Sequence, residues 1–220
     1  GGQRIPLVNQ AITNDVGNSL FLFYFGHGGI NGWAQERVFT LEEIENFSNY
    51  NNVYSRFPLV STFTCEFTLW DDPGTYSAGE RVIKSSQGGA ATMLTSSRKI
   101  GVGYGALMTD KFTTELFSLT NDEFESVGNA FLKSKLNYGV NVADHLRINL
   151  LGDPAGKLSR PKRLLLIDQI ESPVPGQIRA LDFVKIKGHV NKADGTLDSG
   201  FNGRVVINMF DKKITKKTLN

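Results

Sequence analysis

The chain has 220 residues, 40% hydrophobic and 21% charged, with a net charge of +2 from 24 basic and 22 acidic side chains. This is an ordinary globular composition, long enough for one full domain and part of another. The charge balance gives no electrostatic case for nucleic acid or an anionic membrane, and no apolar run approaches the roughly 20 residues of a spanning helix.

No signal peptide is visible. The chain opens on Gly1-Gly2-Gln3 and closes on Leu219-Asn220 straight after a predicted strand. It therefore reads as an excerpt of a longer protein, and the missing signal says nothing about compartment. The single cysteine, Cys65, cannot form an internal disulfide. No C-x-x-C or H-x-x-x-H spacing supports a metal site built on Cys65 and the histidines.

Residues 3–17 are mixed and lead, as helix or loop, to the first strand. Leu20–Phe25 is an unbroken apolar run ended by Gly26-His27-Gly28-Gly29, the pattern of a strand buried on both faces in a parallel sheet. Thr40 and Glu43 have capping-box spacing, so a short helix is predicted there. Residues 46–56 read as surface loop. Pro58 precedes a second buried strand, Leu59–Thr64, ending on Cys65-Glu66. Ser77 to Glu80 is another capping box, opening a helix to about residue 86. Ala90–Thr95 is a third small apolar strand, closed by Ser96, Ser97 and Arg98. Helices are predicted near 106–119 and 125–140, the first with Leu107, Phe112, Leu116 and Phe117 on one face. Residues 149–154 read as a turn, with Asp153 fixing it.

Strand and helix alternate over residues 20–100, which predicts an α/β fold, a parallel sheet flanked by helices. From Pro161 the texture changes. Arg163–Ile170, Phe183–Val190 and Arg204–Phe210 look like strands separated by Pro, Gly and Asp-Gly. The division is placed at 1–165 and 166–220, the second part an incomplete immunoglobulin-like β-sandwich with about three of the roughly seven strands needed.

His27 follows the first strand and Cys65 the second. Ligands in open α/β sheets bind beyond the carboxyl ends of the strands, and neighbouring strands lie about 4.8 Å apart. Two such side chains can approach across one crevice. A cysteine is a nucleophile as thiolate, a form that a nearby imidazole favours. The Gly28 and Cys65 N–H groups are the natural oxyanion donors, and the glycines would let a substrate backbone approach the imidazole. The blander alternatives are a loop histidine and a buried core cysteine. Glu66, Asp71, Asp72 and Glu80 form an acidic group near Cys65. Asp71 and Asp72 are candidates for calcium, Glu66 for a substrate cleft; the alternative is a solvated loop and a helix N-terminus. Glu36 and Arg37 are candidates for an ion pair under the histidine loop. Trp33 either lines the cleft or packs under the glycines. His145 and His189 read as structural.

Strands ending in His-Gly and then in Cys form the pattern of caspase-like cysteine peptidases. YFGHGGINGWAQERV (24–38), TCEFTLWDDPGTYSAGERVI (64–83), GGAATMLTSSRKI (88–100) and LLGDPAGKL (150–158) resemble the gingipain family, and within it the cell-surface sortases of the type IX secretion system of Bacteroidetes. The resemblance implies a caspase/gingipain-like fold of which this chain is the C-terminal part, with an immunoglobulin-like domain behind it. It implies His27 as base and Cys65 as nucleophile in a hydrolase that removes C-terminal secretion signals from secreted cargo. It also implies acyl transfer to a lipopolysaccharide amine, other secretion-system components as partners, and no required cofactor. The acid that orients the histidine lies upstream of this strand in that family, and residues 1–19 hold no counterpart. The rival readings are an Arg- or Lys-specific secreted protease and a non-catalytic surface module.

Overall fold

The computed structural model describes residues 4–50, 56–137 and 142–207. Its elements run α1 (Pro6–Val16), β1 (Phe21–Phe25), β2 (Gly28–Gly29), β3 (Gly32–Trp33), β4 (Phe39–Thr40), α2 (Leu41–Glu45), β5 (Leu59–Phe63), α3 (Ala78–Lys84), β6 (Thr92–Ser96), α4 (Val102–Leu116), β7 (Leu119–Thr120), β8 (Glu123–Phe124), α5 (Val127–Leu136), α6 (Val142–Arg147), β9 (Ile148–Gly152), β10 (Arg163–Glu171) and β11 (Lys185–Lys192). They fall into two compact units, Gly1–Arg160 and Pro161–Asn220. Residues 161–165 thus belong with the second unit, and β10 runs unbroken through 165 and 166.

The first unit is built on a four-stranded sheet of order β1-β5-β6-β9. β1, β5 and β6 are parallel, as their apolar runs predict. β9 pairs antiparallel with β6, Ser96 opposite Ile148 and Thr92 opposite Gly152. The sequence reading took residues 149–154 for a turn. The strand was hidden because α6 runs into it without a loop and Asn149 interrupts its apolar run. The turn at Asp153 follows it, held by the Ala155 N–H donating to Asp153 Oδ1 at 2.9 Å.

Alternation along the strands sorts the core into two layers. Val60 and Met93, with Leu22 and Tyr24, pack with Val16, Ile44, Phe47 and Val82. Leu59, Phe63 and Leu94, with Phe21 and Phe23, pack on Met108, Phe112, Leu116 and Ala130. β5 and β6 are buried along their whole length. β1 is only half-buried, a correction to the expectation of a fully buried strand: both its faces are covered, but it is the edge of this sheet. The buried face of α4 is Tyr104, Met108, Phe112 and Leu116, one residue every turn. Leu107 and Phe117 lie partly exposed, contrary to the predicted stripe.

Among the described residues the second unit has one antiparallel strand pair, β10 with β11, Arg163 opposite Lys192, and the expected immunoglobulin-like sandwich is not shown. Leu164, Leu165, Leu166 and Ile167 all remain about half exposed. β11 starts two residues later than expected. Of the strand expected at 204–210, residues 204–207 are irregular and 208–210 lie outside the described residues. Residues 51–55 of the predicted 46–56 loop, and 138–140 at the end of the predicted 125–140 helix, lie outside them as well.

Candidate active site

β1 and β5 run side by side with Phe25 opposite Phe63. His27 and Cys65 each stand two residues beyond that last pair. Both line one slot of about 100 Å³, together with Phe25, Phe63, Ile100 and Val102. The Cys65 Sγ lies 4.0 Å from the Ile100 carbonyl oxygen. No hydrogen bond joins it to the imidazole among the described residues. Cys65 is half-buried and His27 exposed.

The backbone of His27 is fixed more tightly than its side chain. Its carbonyl accepts from the Tyr24 hydroxyl at 2.7 Å and from the Ala34 N–H at 2.8 Å. Tyr24 stacks on Trp33, ring centroids 4.4 Å apart and planes within 5°. Trp33 is 2% exposed and packs on Phe39 and Phe67. Trp33 is thus a packed support beneath the glycines, and it also closes the inner wall of a larger cleft described below.

The glycines have different tasks. A Cβ on Gly28 would collide with the Thr64 hydroxyl, so glycine there lets the histidine turn press against the residue before the cysteine. Gly29 has nothing within 4 Å of where a Cβ would stand, so no packing contact demands glycine there. The Cys65 N–H has no protein acceptor among the described residues, as an oxyanion donor requires. Gly28, the other proposed donor, pairs with Trp33 in the small antiparallel sheet β2-β3-β4 that follows the turn.

The cysteine turn is anchored through its backbone. The Ser96 hydroxyl donates to the Thr64 carbonyl, and the Thr68 N–H donates to the Ser96 carbonyl at 3.1 Å. Glu66 holds a left-handed backbone, φ 52°, uncommon for a residue with a Cβ. The side chain of Phe67 is fully buried.

Both turns meet at the N-terminus of α3. The first N–H groups of a helix have no partner within it. Here Ala78 donates to the Ile30 carbonyl at 2.7 Å, on the histidine side. Gly79 donates to the Phe67 carbonyl at 2.8 Å, on the cysteine side. Ser77 completes the cap: its N–H and hydroxyl both donate to Glu80 Oε2, at 2.9 and 2.7 Å, and its hydroxyl accepts from the Leu69 N–H at 3.0 Å. A Cβ on Gly79 would strike the Thr68 hydroxyl, so only glycine lets the helix seat this closely. The sequence displayed Ser77-x-x-Glu80, but not what the remaining amides would hold.

The acidic group near Cys65 is organised by Arg98, which sequence reasoning passed over. Its guanidinium donates to both Asp71 oxygens, at 2.8 and 2.9 Å, and holds that carboxyl below its usual range. Asp72 accepts from the Gly74 N–H and the Thr75 hydroxyl, at 3.0 and 2.8 Å. The two calcium candidates are thus both engaged within the protein. Among the described residues no group of three or more His, Cys, Asp or Glu side chains is placed to hold a metal ion. No ion pair joins Glu36 to Arg37 among the described residues. What supports the loop there is the Arg37 carbonyl, which accepts from Asn9 Nδ2 at 2.7 Å. His145 pairs with the Tyr104 hydroxyl at 3.0 Å and His189 with Asp168 at 2.8 Å.

Beyond the slot, His27 also borders a polar cleft of about 620 Å³ that runs past Gly29 and Trp33 to Arg4, Arg37 and Glu42.

The model of Peptidase family C25 matches residues 1–159 of the chain. Among solved structures, the Arg-specific cysteine proteinase gingipain R (RgpB) is similar with a TM-score of 0.58 at 12% identity, over 90% of this chain and 50% of that one. A complex of Porphyromonas gingivalis RgpB pro- and mature domains gives 0.57 at 15%, over 90% and 52%. At such identities the likeness carries the fold, a mixed α/β fold of the gingipain, caspase-like kind. The chain spans about half the length of these proteins. No curated protein matches it.

Proposed function

The chain belongs to peptidase family C25, a family of cysteine peptidases, and from that premise we propose that it is part of a sortase resembling PorU. In this reading the enzyme cleaves C-terminal secretion signals from type IX secretion cargo at the cell surface, beside other components of that system. The observation that carries the catalytic part is the shared slot: His27 and Cys65 line it together, each two residues past the end of one of two paired parallel strands. The motifs at 24–38, 64–83, 88–100 and 150–158 favour the sortase over an Arg- or Lys-specific digestive enzyme.

Cys65 supplies the thiolate and His27 takes the thiol proton. Sulfur attacks the scissile carbonyl carbon, and the oxyanion that forms is met by the Cys65 N–H and the Gly28 N–H. The C–N bond breaks as the imidazolium gives its proton to the leaving amine, which departs with the signal segment. The remaining thioester is then attacked by water, or by an amine of lipopolysaccharide. His27 takes a proton from that nucleophile, the C–S bond breaks to release the thiolate, and the product is a free carboxylic acid or an amide.

The test is cargo cleavage by the full-length protein, with the new termini sequenced. Cys65→Ala and His27→Ala should each lower turnover by a factor on the order of 10³ or more, and the double variant should be little worse. Cys65→Ala retaining a tenth of the activity would sink the nucleophile. Cuts placed after Arg or Lys throughout the cargo, and not at the signal junction, would favour the digestive protease.

A further inference from the structure

The cleft beyond His27 holds two guanidinium groups, and they differ. Arg4 is paired with Glu42 at 3.0 Å and with the buried Glu43 at 2.6 Å. Arg37 is exposed and makes no ion pair among the described residues. Its backbone, in contrast, is held firmly. Its N–H donates to the Ala34 carbonyl at 3.3 Å. Its carbonyl accepts from Nδ2 of Asn9, a residue only 4% exposed. The Ala34 N–H in turn donates to the His27 carbonyl at 2.8 Å. An unbroken line of backbone contacts therefore ties Arg37 to the histidine.

Ala34 and Arg37 both lie in the left-handed region, φ 59° and 55°. That conformation costs free energy in residues with a Cβ and persists where surroundings impose it. A glycine or asparagine would fit more easily at 37. The arginine that stands there is exposed, and it lines the cleft that His27 borders.

We propose that Arg37 is a substrate-anchoring residue that binds a carboxylate of the peptide being cleaved. This rests on His27 and Cys65 being the catalytic pair. A guanidinium offers a planar fork of donors that matches a carboxylate in two parallel hydrogen bonds. Arg4 is already bound by Glu42 and Glu43, so Arg37 is the guanidinium lining the cleft that is left to take a carboxylate. The carboxylate comes from an Asp or Glu side chain near the scissile bond or from the chain terminus of a short signal segment.

The test uses full-length protein and a set of fluorogenic peptides based on a cargo cleavage junction. A single Glu or Asp is walked along the positions flanking the cut, each peptide matched by its Gln or Asn isostere, and each made with a free or an amidated C-terminus. At least one carboxylate peptide should exceed its neutral counterpart tenfold or more in kcat/KM. Walked side chains and the free terminus identify the two sources separately. Arg37→Gln should remove the preference through KM, leaving kcat and the neutral peptides within about twofold, and Arg37→Lys should restore part of it. Thermal midpoints of the variants should match the parent, because the contacts at this position are made by backbone. No carboxylate peptide better than its isostere by more than twofold, or an Arg37→Gln variant with the preference intact, overturns the anchor. An active Cys65→Ala variant instead overturns the catalytic assignment, so the two failures are distinguishable.

Discussion

Lys135 illustrates how a single side chain can carry a pH signature. Its Nζ donates to the carbonyls of His145 and Ile148, at 2.6 and 2.9 Å, and lies 4.2 Å from the Phe131 ring. Burial pushes its pKa down from the ordinary 10.5 to about 8. Between those values the unfolded chain holds a proton that the folded chain has lost, so stability rises with pH across that window. Below pH 8 the charged form is carried in both states and the contribution is flat. Urea midpoints of the parent relative to Lys135→Met should climb from pH 8 to 10 and stay level from pH 6 to 7.5. A relative midpoint that is constant to pH 10 would show that the amine is freely hydrated. At this scale the placement of His27 and Cys65 in one slot was legible in the sequence, because each follows an apolar run. It was silent on Lys135 and Arg98, whose partners lie well along the chain and follow no local spacing.

Among the elements, α3 does more than its length suggests. Its seven residues are too few to be helical alone; the cap and the two turns hold them. Removing the fully buried Ser77 hydroxyl leaves the Leu69 N–H without its acceptor and Glu80 without one of its donors. Ser77→Ala should therefore cost about 1–3 kcal/mol, measured by urea unfolding, and should slow iodoacetamide labelling of Cys65 at pH 6 more than at pH 9. Unchanged stability would mean that the turns are held elsewhere. The three parallel strands and both capping boxes could be read from the sequence, since apolar runs and Ser/Thr-x-x-Glu spacing are local signals. β9 and the edge position of β1 could not, because pairing partners are chosen by the whole sheet. The face of α4 was legible at Phe112 and Leu116, which are buried, but not at Leu107 and Phe117; the helix begins at Val102, before the predicted 106, so Tyr104 was missed, and Met108 takes the place given to Leu107.

At the scale of the molecule, the two units differ in how their strands are covered. β5 and β6 lie between two apolar layers, whereas β10 and β11 form one hairpin with Leu164–Ile167 about half exposed. A two-stranded hairpin is marginal in water. Hydrogen exchange on the 220-residue chain should protect the amides of β5 and β6 far longer than those of Lys185–Lys192. Equal protection would reveal a covering that the hairpin's exposure does not suggest. The change of texture at Pro161 marked the division, since a helical period simply stops there. The incomplete immunoglobulin-like sandwich expected after it is not shown, since only the β10-β11 pair stands there among the described residues, and two strands do not specify what third strand they meet.

The tip of α3 also bears on how the two turns can move. Ile30 and Phe67 give their carbonyls to consecutive amides of one helix. Melting that first turn would therefore loosen the stretch after His27 and the stretch after Cys65 in one event, with the sheet intact. While the tip is seated, neither turn can drift without the other.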